Sequence, residues 1–220
     1  MAENRLRYPR LLEFSANFLL DKSIDGFAAS VSQVYTQGTL QRLTTHPLAE
    51  VRRAAVHALG LIGDYESNHA LGRALIDDDR TVRSLADEAI RRVWNRVGTN
   101  DQRRQLAALV RLNAAQHYRA AAQLASELAG LCAELPEIWH QWGVACYHLE
   151  QYDAAIRNCH QALELNPYHF PAASLMGQAY MKLANHASAL ESFRRALGLN
   201  PDLEGVRVYV ARLIRIVEGK

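Results

Sequence analysis

Apolar residues recur at intervals of three and four along nearly the whole chain, the spacing that lines one face of an α-helix. Around Pro9, the residues Leu11, Leu12, Phe14, Phe18 and Leu19 predict an amphipathic helix over 8–20, followed by a connector from Asp21 to Ile24. From Asp25 the series Phe27, Val31, Val34 and Tyr35 continues through a candidate break at Gly38 into Leu40 and Leu43 and stops at His46-Pro47. Two helices, or one kinked helix, fit that stretch equally. Proline cannot continue a helix interior but suits the first turn of the next. Gly63-Asp64 opens a short helix through Ala70, Leu71, Ala74 and Leu75, which ends at Asp77-Asp78-Asp79. Near the C-terminus Val206, Val210, Leu213, Ile214 and Val217 fall at i, i+4, i+7, i+8 and i+11, one face of a helix, although Val206 to Val210 alternates and also reads as a strand.

The pattern then repeats itself. At a spacing of 34 residues Gly143 returns as Gly177, Ala155 as Ala189, Cys159 as Phe193, Ala162 as Ala196, Leu165 as Leu199, and Asn166-Pro167 as Asn200-Pro201. A fixed period of this length, with two helical patterns per unit and a proline after the second, marks a stacked-helix architecture. The segments Trp139-x2-Trp142-Gly143-x2-Cys146, Ala155-x3-Cys159 and Pro167, then Ala173-x2-Met176-Gly177-x2-Tyr180, Ala189-x3-Phe193 and Pro201, resemble the tetratricopeptide repeat (TPR). Trp142, Cys146 and Cys159 depart from the family's Leu, Tyr and Phe but keep apolar volume. A degenerate repeat precedes them, with Leu106, Leu109 and Leu112 on its first helix and Tyr118, Ala121, Leu124, Ala125 and Leu128 on its second.

A different period, 31 residues, organises the N-terminal half: Val51-Arg52 returns as Val82-Arg83, Ala55 as Ala86, Ala58 as Ala89 and Leu59 as Ile90. These segments resemble the short HEAT repeat, whose second helix opens with Asp-x-x-Val-Arg, and the resemblance covers about residues 39–95. It implies that Arg52 and Arg83 pair with helix-start carboxylates of neighbouring units. Together the two resemblances imply an all-α protein of about twelve helices. It is an α-solenoid of stacked helix pairs, HEAT-like repeats followed by TPR repeats and a C-terminal capping helix. The expected division is 1–98 for the N-terminal helices and HEAT-like repeats, 99–101 as a short boundary, and 102–220 for the TPR domain. The last stripe is expected to be a helix because the final pair would otherwise leave its apolar side in water.

Composition narrows the function classes. Net charge is +2 and the charges spread evenly over both halves, without the concentrated basic stripe of a nucleic-acid binder or the polybasic cluster of a membrane anchor. Three cysteines, Cys132, Cys146 and Cys159, are too few and too far apart for a disulfide framework or zinc knuckle, and read as reduced thiols in a cytoplasmic protein. Arg5 and Arg7 before the apolar run imitate a signal peptide, but Glu13 and Asn17 interrupt it. No apolar run reaches the length of a membrane span.

Catalytic patterns are missing from the sequence: it has no Gly-x-Ser-x-Gly elbow, phosphate-cradling glycine loop, His-Glu-x-x-His or Gly-x-Gly-x-x-Gly. His140, His148, His160 and His169 crowd the central repeat, but no two lie three or four apart as a helical metal site would want, so no metal or cofactor is expected. Arg52, Arg53, Arg80, Arg83, Arg91, Arg92 and Arg96 could form a phosphate ladder, but Asp77, Asp78, Asp79, Asp87 and Glu88 are interleaved and would repel phosphate.

What remains is surface. In the TPR family the first helix of each pair lines a concave groove, which implies a lining of His140, Gln141, Val144, Tyr147 and His148, then Ser174, Gln178, Met181 and Lys182, with Tyr209 and Arg212 from the last helix. This mixed aromatic, polar and mildly basic surface suits an extended or helical peptide of acidic or amphipathic character. Chaperone-binding members clamp a terminal carboxylate with lysines and asparagines at places held here by His140, Val144 and Leu175, so no such clamp is expected. The expected function is a non-catalytic interaction adaptor of the kind found among bacterial scaffold and assembly factors. The alternatives are a HEAT-like chaperone or enzyme of the bilin-lyase type, and nucleic-acid backbone binding through the HEAT arginines.

Overall fold

A computed structural model describes residues 10–217 and 219. Tyr8, Pro9, Arg5 and Arg7, which figure in the expectations above, lie outside the described residues. The described residues form thirteen α-helices and one 3-10 turn, with no strand among them. The chain divides into two compact units between Trp94 and Asn95.

The first unit contains α1 (Arg10–Asp21), α2 (Ile24–Val34), α3 (Gln37–Leu43), α4 (Ala49–Ile62), a 3-10 turn (Tyr65–Ser67), α5 (Asn68–Ala74) and α6 (Arg80–Trp94). The apolar series after Asp25 forms two helices, and the break falls at Tyr35-Thr36 rather than Gly38. The reason is local: the Thr36 hydroxyl accepts from Thr39 N and starts α3. Tyr35, left extended, accepts the Leu11 N–H on its hydroxyl at 3.1 Å and so supplies a partner to the open first turn of α1. Helices α4 and α6 pack face to face, with α3 on α4 and α5 on α6. Their approach is close: a Cβ on Gly60 would sit 2.8 Å from Ala89 Cβ and 3.0 Å from its Cα. The end of α6 is fixed where Trp94 Nε1 donates to Asn68 Oδ1 at 2.7 Å.

Arg52, Arg53 and Arg83 are engaged with the protein. Arg52 forks onto Asp77 (Nε to Oδ2 2.7 Å, Nη2 to Oδ1 2.8 Å), while its Nη1 donates to the His46 and Pro47 carbonyls. Arg83 reaches the Asp77 and Asp78 carbonyls from Nη1 at 2.8 and 3.2 Å. Arg53 pairs with Asp79, which also caps α6 by accepting from Val82 N at 2.9 Å. The expected carboxylate pairing thus holds for Arg52, and Arg83 uses carbonyls of the loop leading into its own helix. Arg52 and Arg83 each lie three residues after the first residue of their helix and tie the incoming loop to it. Arg52→Ala should lower unit stability by about 1–2 kcal/mol, since a bidentate pair and two carbonyl partners are lost at a mostly buried position. Arg52→Lys should recover less than half of it, lacking the planar fork. Urea unfolding monitored by helical ellipticity measures both; equal stability of all three chains would show the fork to be idle.

The second unit contains α7 (Asn100–Ala114), α8 (Tyr118–Leu131), α9 (Pro136–His148), α10 (Tyr152–Leu165), α11 (Phe170–Lys182), α12 (His186–Leu199) and α13 (Glu204–Val217). Each helix packs on the next, and α7, α9 and α11 also touch in series, the arrangement of stacked pairs. Residues 99–101 start α7: Thr99 and Gln102 form a reciprocal capping box. Arg103, four residues after that cap, again donates to carbonyls of the incoming loop, Arg96 O at 3.1 Å and Gly98 O at 2.7 Å.

The three hairpins of this unit turn alike. Gln116, Glu150 and Ala184, spaced 34 apart, all sit at φ of 56–62°. The following amides, His117, Gln151 and Asn185, each reach back five residues, to Leu112, Cys146 and Tyr180 carbonyls. This is the Schellman closure of a helix end. Between the helices, Cys146, Ala155, Cys159, Ala162, Ala173, Met176, Ala189, Phe193 and Ala196 are buried. Helix α13 buries Val206 and Leu213 with Val210 and Ile214 against the same core, so the helical stripe prevails over the strand reading; Val217, its fifth member, is exposed. The three cysteines are buried and unpaired, and burial pushes each thiol up in pKa. Among the described residues no helix is long and apolar enough to cross a membrane.

Candidate binding surface

Helical geometry separates two jobs on α9 and α11. Gly143, Cys146, Met176 and Gly177 face the second helices, where a Cβ on Gly143 would meet Cys159 Sγ at 2.9 Å and one on Gly177 would meet the Phe193 ring at 2.7 Å. The other face carries His140, Gln141, Val144, Tyr147, His148, Ser174, Gln178, Met181 and Lys182, all partly or fully open to solvent, as are Tyr209 and Arg212 on α13.

These residues fall into two groups. The first gathers around Tyr147. Val144, Tyr147 and Met181 pack their inner sides on the C-terminal core. Burial raises the Tyr147 phenol pKa, against the Lys182 charge and with Tyr152 and Tyr209 adding to the rise, which places all three around it. Tyr147 meets Tyr152 and His148 edge-on, with ring centroids at 5.7 and 5.4 Å, and His148 stacks flat on Tyr118 at 4.3 Å. Tyr209 lies flat on Phe193 at 5.1 Å and keeps 40% exposure, so it is shared between core and surface. Lys182 and Arg212 are exposed, and Ser174 and Gln178 of α11 are half-buried.

The second group is an internal network that the sequence reading missed. Glu137, 13% exposed, accepts from His140 Nδ1 at 3.2 Å and Gln141 Nε2 at 2.8 Å on Oε1, and from His169 Nε2 at 3.0 Å on Oε2. Asn113 of α7 donates to the Gln141 carbonyl and side-chain oxygen, both at 2.9 Å. His140 and Gln141 are therefore partly committed to the protein rather than free for a partner. Burial alone would raise the Glu137 carboxyl; the His140 charge and the hydrogen bonds from His140 and His169 outweigh it and hold the pKa well below the usual range. His169, 1% exposed, is also shifted down, for a different reason: burial lowers its pKa from the usual 6.5, opposed by the hydrogen bond to Glu137. The legible signal was Glu137-x-x-His140 and Glu137-x3-Gln141, neighbours on one helix face. A comparison of histidines only with histidines passed over it.

Glu137, His140 and His169 bring three ligand atoms within 4.8 Å of one another, so a metal ion has to be considered. The hydrogen bonds argue against one. His169 Nδ1 accepts the Ala172 N–H at 3.2 Å, which fixes the proton on Nε2, the nitrogen that faces Glu137. A metal-ligating imidazole has the reverse arrangement, its remote nitrogen protonated and donating. The cluster fits a hydrogen-bonded carboxylate, not a cation site.

The first unit has its own concavity, a cavity of about 450 Å³ between α1, α4 and α6, lined by Leu12, Phe18, Leu19, Ala54, His57 and Leu85 among others. Burial, and then the Arg92 charge, lower the His57 pKa, so its ring is neutral near pH 7 and behaves as part of that apolar lining.

Comparison with known proteins agrees with the architecture. The family model for HEAT repeats matches residues 36–127, and models for the tetratricopeptide repeat match 136–169 and 171–203. The HEAT match runs on through α7 and most of α8, the stretch read above as a degenerate TPR, although the turn at Gln116 has the geometry of those at Glu150 and Ala184. No curated protein matches the chain. Among solved structures, the first TPR of Spaghetti (RPAP3) bound to the HSP90 peptide SRMEEVD is similar over 56% of this chain and 97% of its own, at 17% identity and a TM-score of 0.52. The first TPR domain of human RPAP3 is similar over 52% of this chain and 91% of its own, at 17% identity and a TM-score of 0.50. At such identity the likeness is one of fold. The chain carries HEAT repeats in its N-terminal half and two tetratricopeptide repeats in its C-terminal half.

Proposed function

We propose that the protein is a non-catalytic adaptor that binds a peptide or helix of a partner protein on the inner face of its TPR unit. The observation that carries this reading is the separation on α9 and α11: signature positions are buried in packing, while the positions between them stay open and cluster around Tyr147. A rigid stack holds those side chains in register, so little conformational entropy is lost when a segment docks. The Spaghetti TPR, which carries an HSP90 peptide, supports a peptide as the kind of ligand. Here the clamp places hold His140, Val144 and the buried Leu175, so the same peptide is not the expected partner. Exposed Lys182 and Arg212 beside Tyr147 and Tyr209 favour a segment with an acidic group next to an aromatic or aliphatic one. A cytoplasmic, bacterial setting goes with this reading.

Nucleic-acid binding through the HEAT arginines finds less support. Arg52 and Arg53 are paired with Asp77 and Asp79, and Arg91 and Arg92 with Asp87 and Glu88. A gel-shift at low salt, where phosphate contacts are strongest, is expected to show no retention.

Partners recovered with the native protein should be lost when Tyr147, Gln178 and Lys182 are replaced together by alanine, with the helical content unchanged. An unchanged partner set would move the binding surface elsewhere. Adding His140→Ala tests the other end of the face, though there part of any loss will come from the Glu137 network.

A further inference from the structure

Among the described residues, N-caps with side-chain hydrogen bonds elsewhere include Ser23, Thr36, Asp64, Asp79, Thr99 and Asn185, hydroxyls, an amide and carboxylates that keep their acceptor oxygens across the neutral range. Helix α11 is capped by an imidazole. His169 Nδ1 accepts from Ala172 N, and its Nε2 donates to Glu137 on α9, 32 residues away. One side chain thus caps the second TPR and ties it to the first.

We propose that His169 is a proton-operated latch between the two TPR units: neutral, it caps α11 and holds Glu137, and protonated at Nδ1 it turns that acceptor into a donor and releases the first turn of α11.

The chemistry follows from the geometry. Neutral histidine has one donor and one acceptor nitrogen, and here both are used in the only arrangement that satisfies both partners. A proton arriving at Nδ1 would point at the Ala172 N–H and the positive end of the α11 dipole. The Glu137 hydrogen bond survives and gains charge, so the ring stays drawn to α9 while the helix start is pushed away. The charged groups facing His169 are few. From α9 they are Glu137 and His140; from α7 only the neutral Asn113 amide enters the network, through Gln141. On α8 Arg119 and Glu127, on α10 Asp153, Arg157, His160 and Glu164, and on α12 Glu191, Arg194 and Arg195 are exposed, and Lys182 lies at the far end of α11. Among the described residues no other acidic side chain is buried to replace Glu137 in balancing the imidazolium.

The test uses the full chain, followed by histidine ¹⁵N NMR and amide exchange from about pH 7.5 to about pH 5. At neutral pH His169 should give the shifts of the Nε2–H tautomer. As pH falls from 6.5 towards the folded pKa of His169, the protection factors of the Ala172 and Ala173 amides should fall by up to about tenfold per pH unit, because uncapping is linked to one proton. His169→Asn keeps a cap acceptor that does not titrate, and its protection factors should be flat over the same range. The Nδ1–H tautomer at neutral pH, pH-independent protection in the native chain, or an identical acid loss in His169→Asn would each overturn the latch. So would stoichiometric Zn²⁺ binding that shifts the His140 and His169 resonances together, since that requires the proton to leave Nε2. The tautomer measurement needs no variant, so it stands even if His169→Asn folds poorly.

Discussion

Phe193→Ala is expected to cost about 3–5 kcal/mol, the largest loss of any single truncation proposed for this chain. The ring is fully buried in the C-terminal core, lies flat on Tyr209 and presses on the backbone of Gly177. Removing it leaves a cavity bounded by three helices whose spacing is set by other contacts, so the site cannot collapse. The converse change makes the same point. A methyl on Gly177 would stand 2.7 Å from two ring carbons, and a buried ring cannot swing aside as a flexible side chain would. Gly177→Ala should therefore destabilise by about 1–3 kcal/mol through overpacking, partly offset by alanine's better helix propensity. Gly198, with nothing near its Cβ position, should gain stability from the same change. The pair is a coupling test: with Phe193→Leu in place, the cost of Gly177→Ala should shrink by about 1 kcal/mol or more in a double-mutant cycle of urea midpoints. Additive losses would mean that glycine and ring do not share the space the geometry gives them.

That contact also shows why so much of the fold is legible in the sequence. The Gly177–Phe193 and Gly143–Cys159 contacts sit at the same two places of a 34-residue period, so one steric fact appears twice in the chain. The 31-residue period does the same for Arg52 and Arg83, whose ties to the incoming loop recur at Arg103, outside that period but within the stretch the HEAT family model matches. Features without a periodic echo were harder to read. The start of α3 at Thr36 depends on one hydroxyl, while the glycine two residues on drew the eye. The Glu137–His169 bond joins residues 32 apart, and the equivalent places one period away hold Pro171 and Leu135, so no repetition pointed to it. Of the proposed binding face, the open positions follow from helical geometry alone. The pairing of Glu137 with His140 and Gln141 is written in their helical spacing, whereas the links to His169 and Asn113 appear only once α7, α9 and α11 are placed together.

Glu137→Ala should be the second most costly change, at about 2–4 kcal/mol near pH 7, because it strands a buried His169 N–H and the Gln141 amide. Glu137→Gln, which keeps one acceptor oxygen but turns a donor toward donors, should fall between it and the native chain. The pH dependence separates a charge effect from a packing effect. The native Glu137 pKa is held below the ordinary carboxylate value of 4.5, so its contribution is complete above pH 4.5 and lost as pH falls through the folded value. His169 is also lowered, from 6.5, so its contribution is complete above pH 6.5 and lost as pH falls towards its folded value. The native chain should therefore lose stability in two acid steps, to which His57, lowered in the same direction, adds in the upper one. Without Glu137 the lower step should vanish. The upper step should reach further into acid, because the hydrogen bond that had been raising the His169 pKa is gone. Urea midpoints of the two chains should therefore move further apart as pH falls from neutral to about pH 4.5, and draw together only below that, as Glu137 takes up its proton. A constant difference at every pH would assign Glu137 a purely steric role.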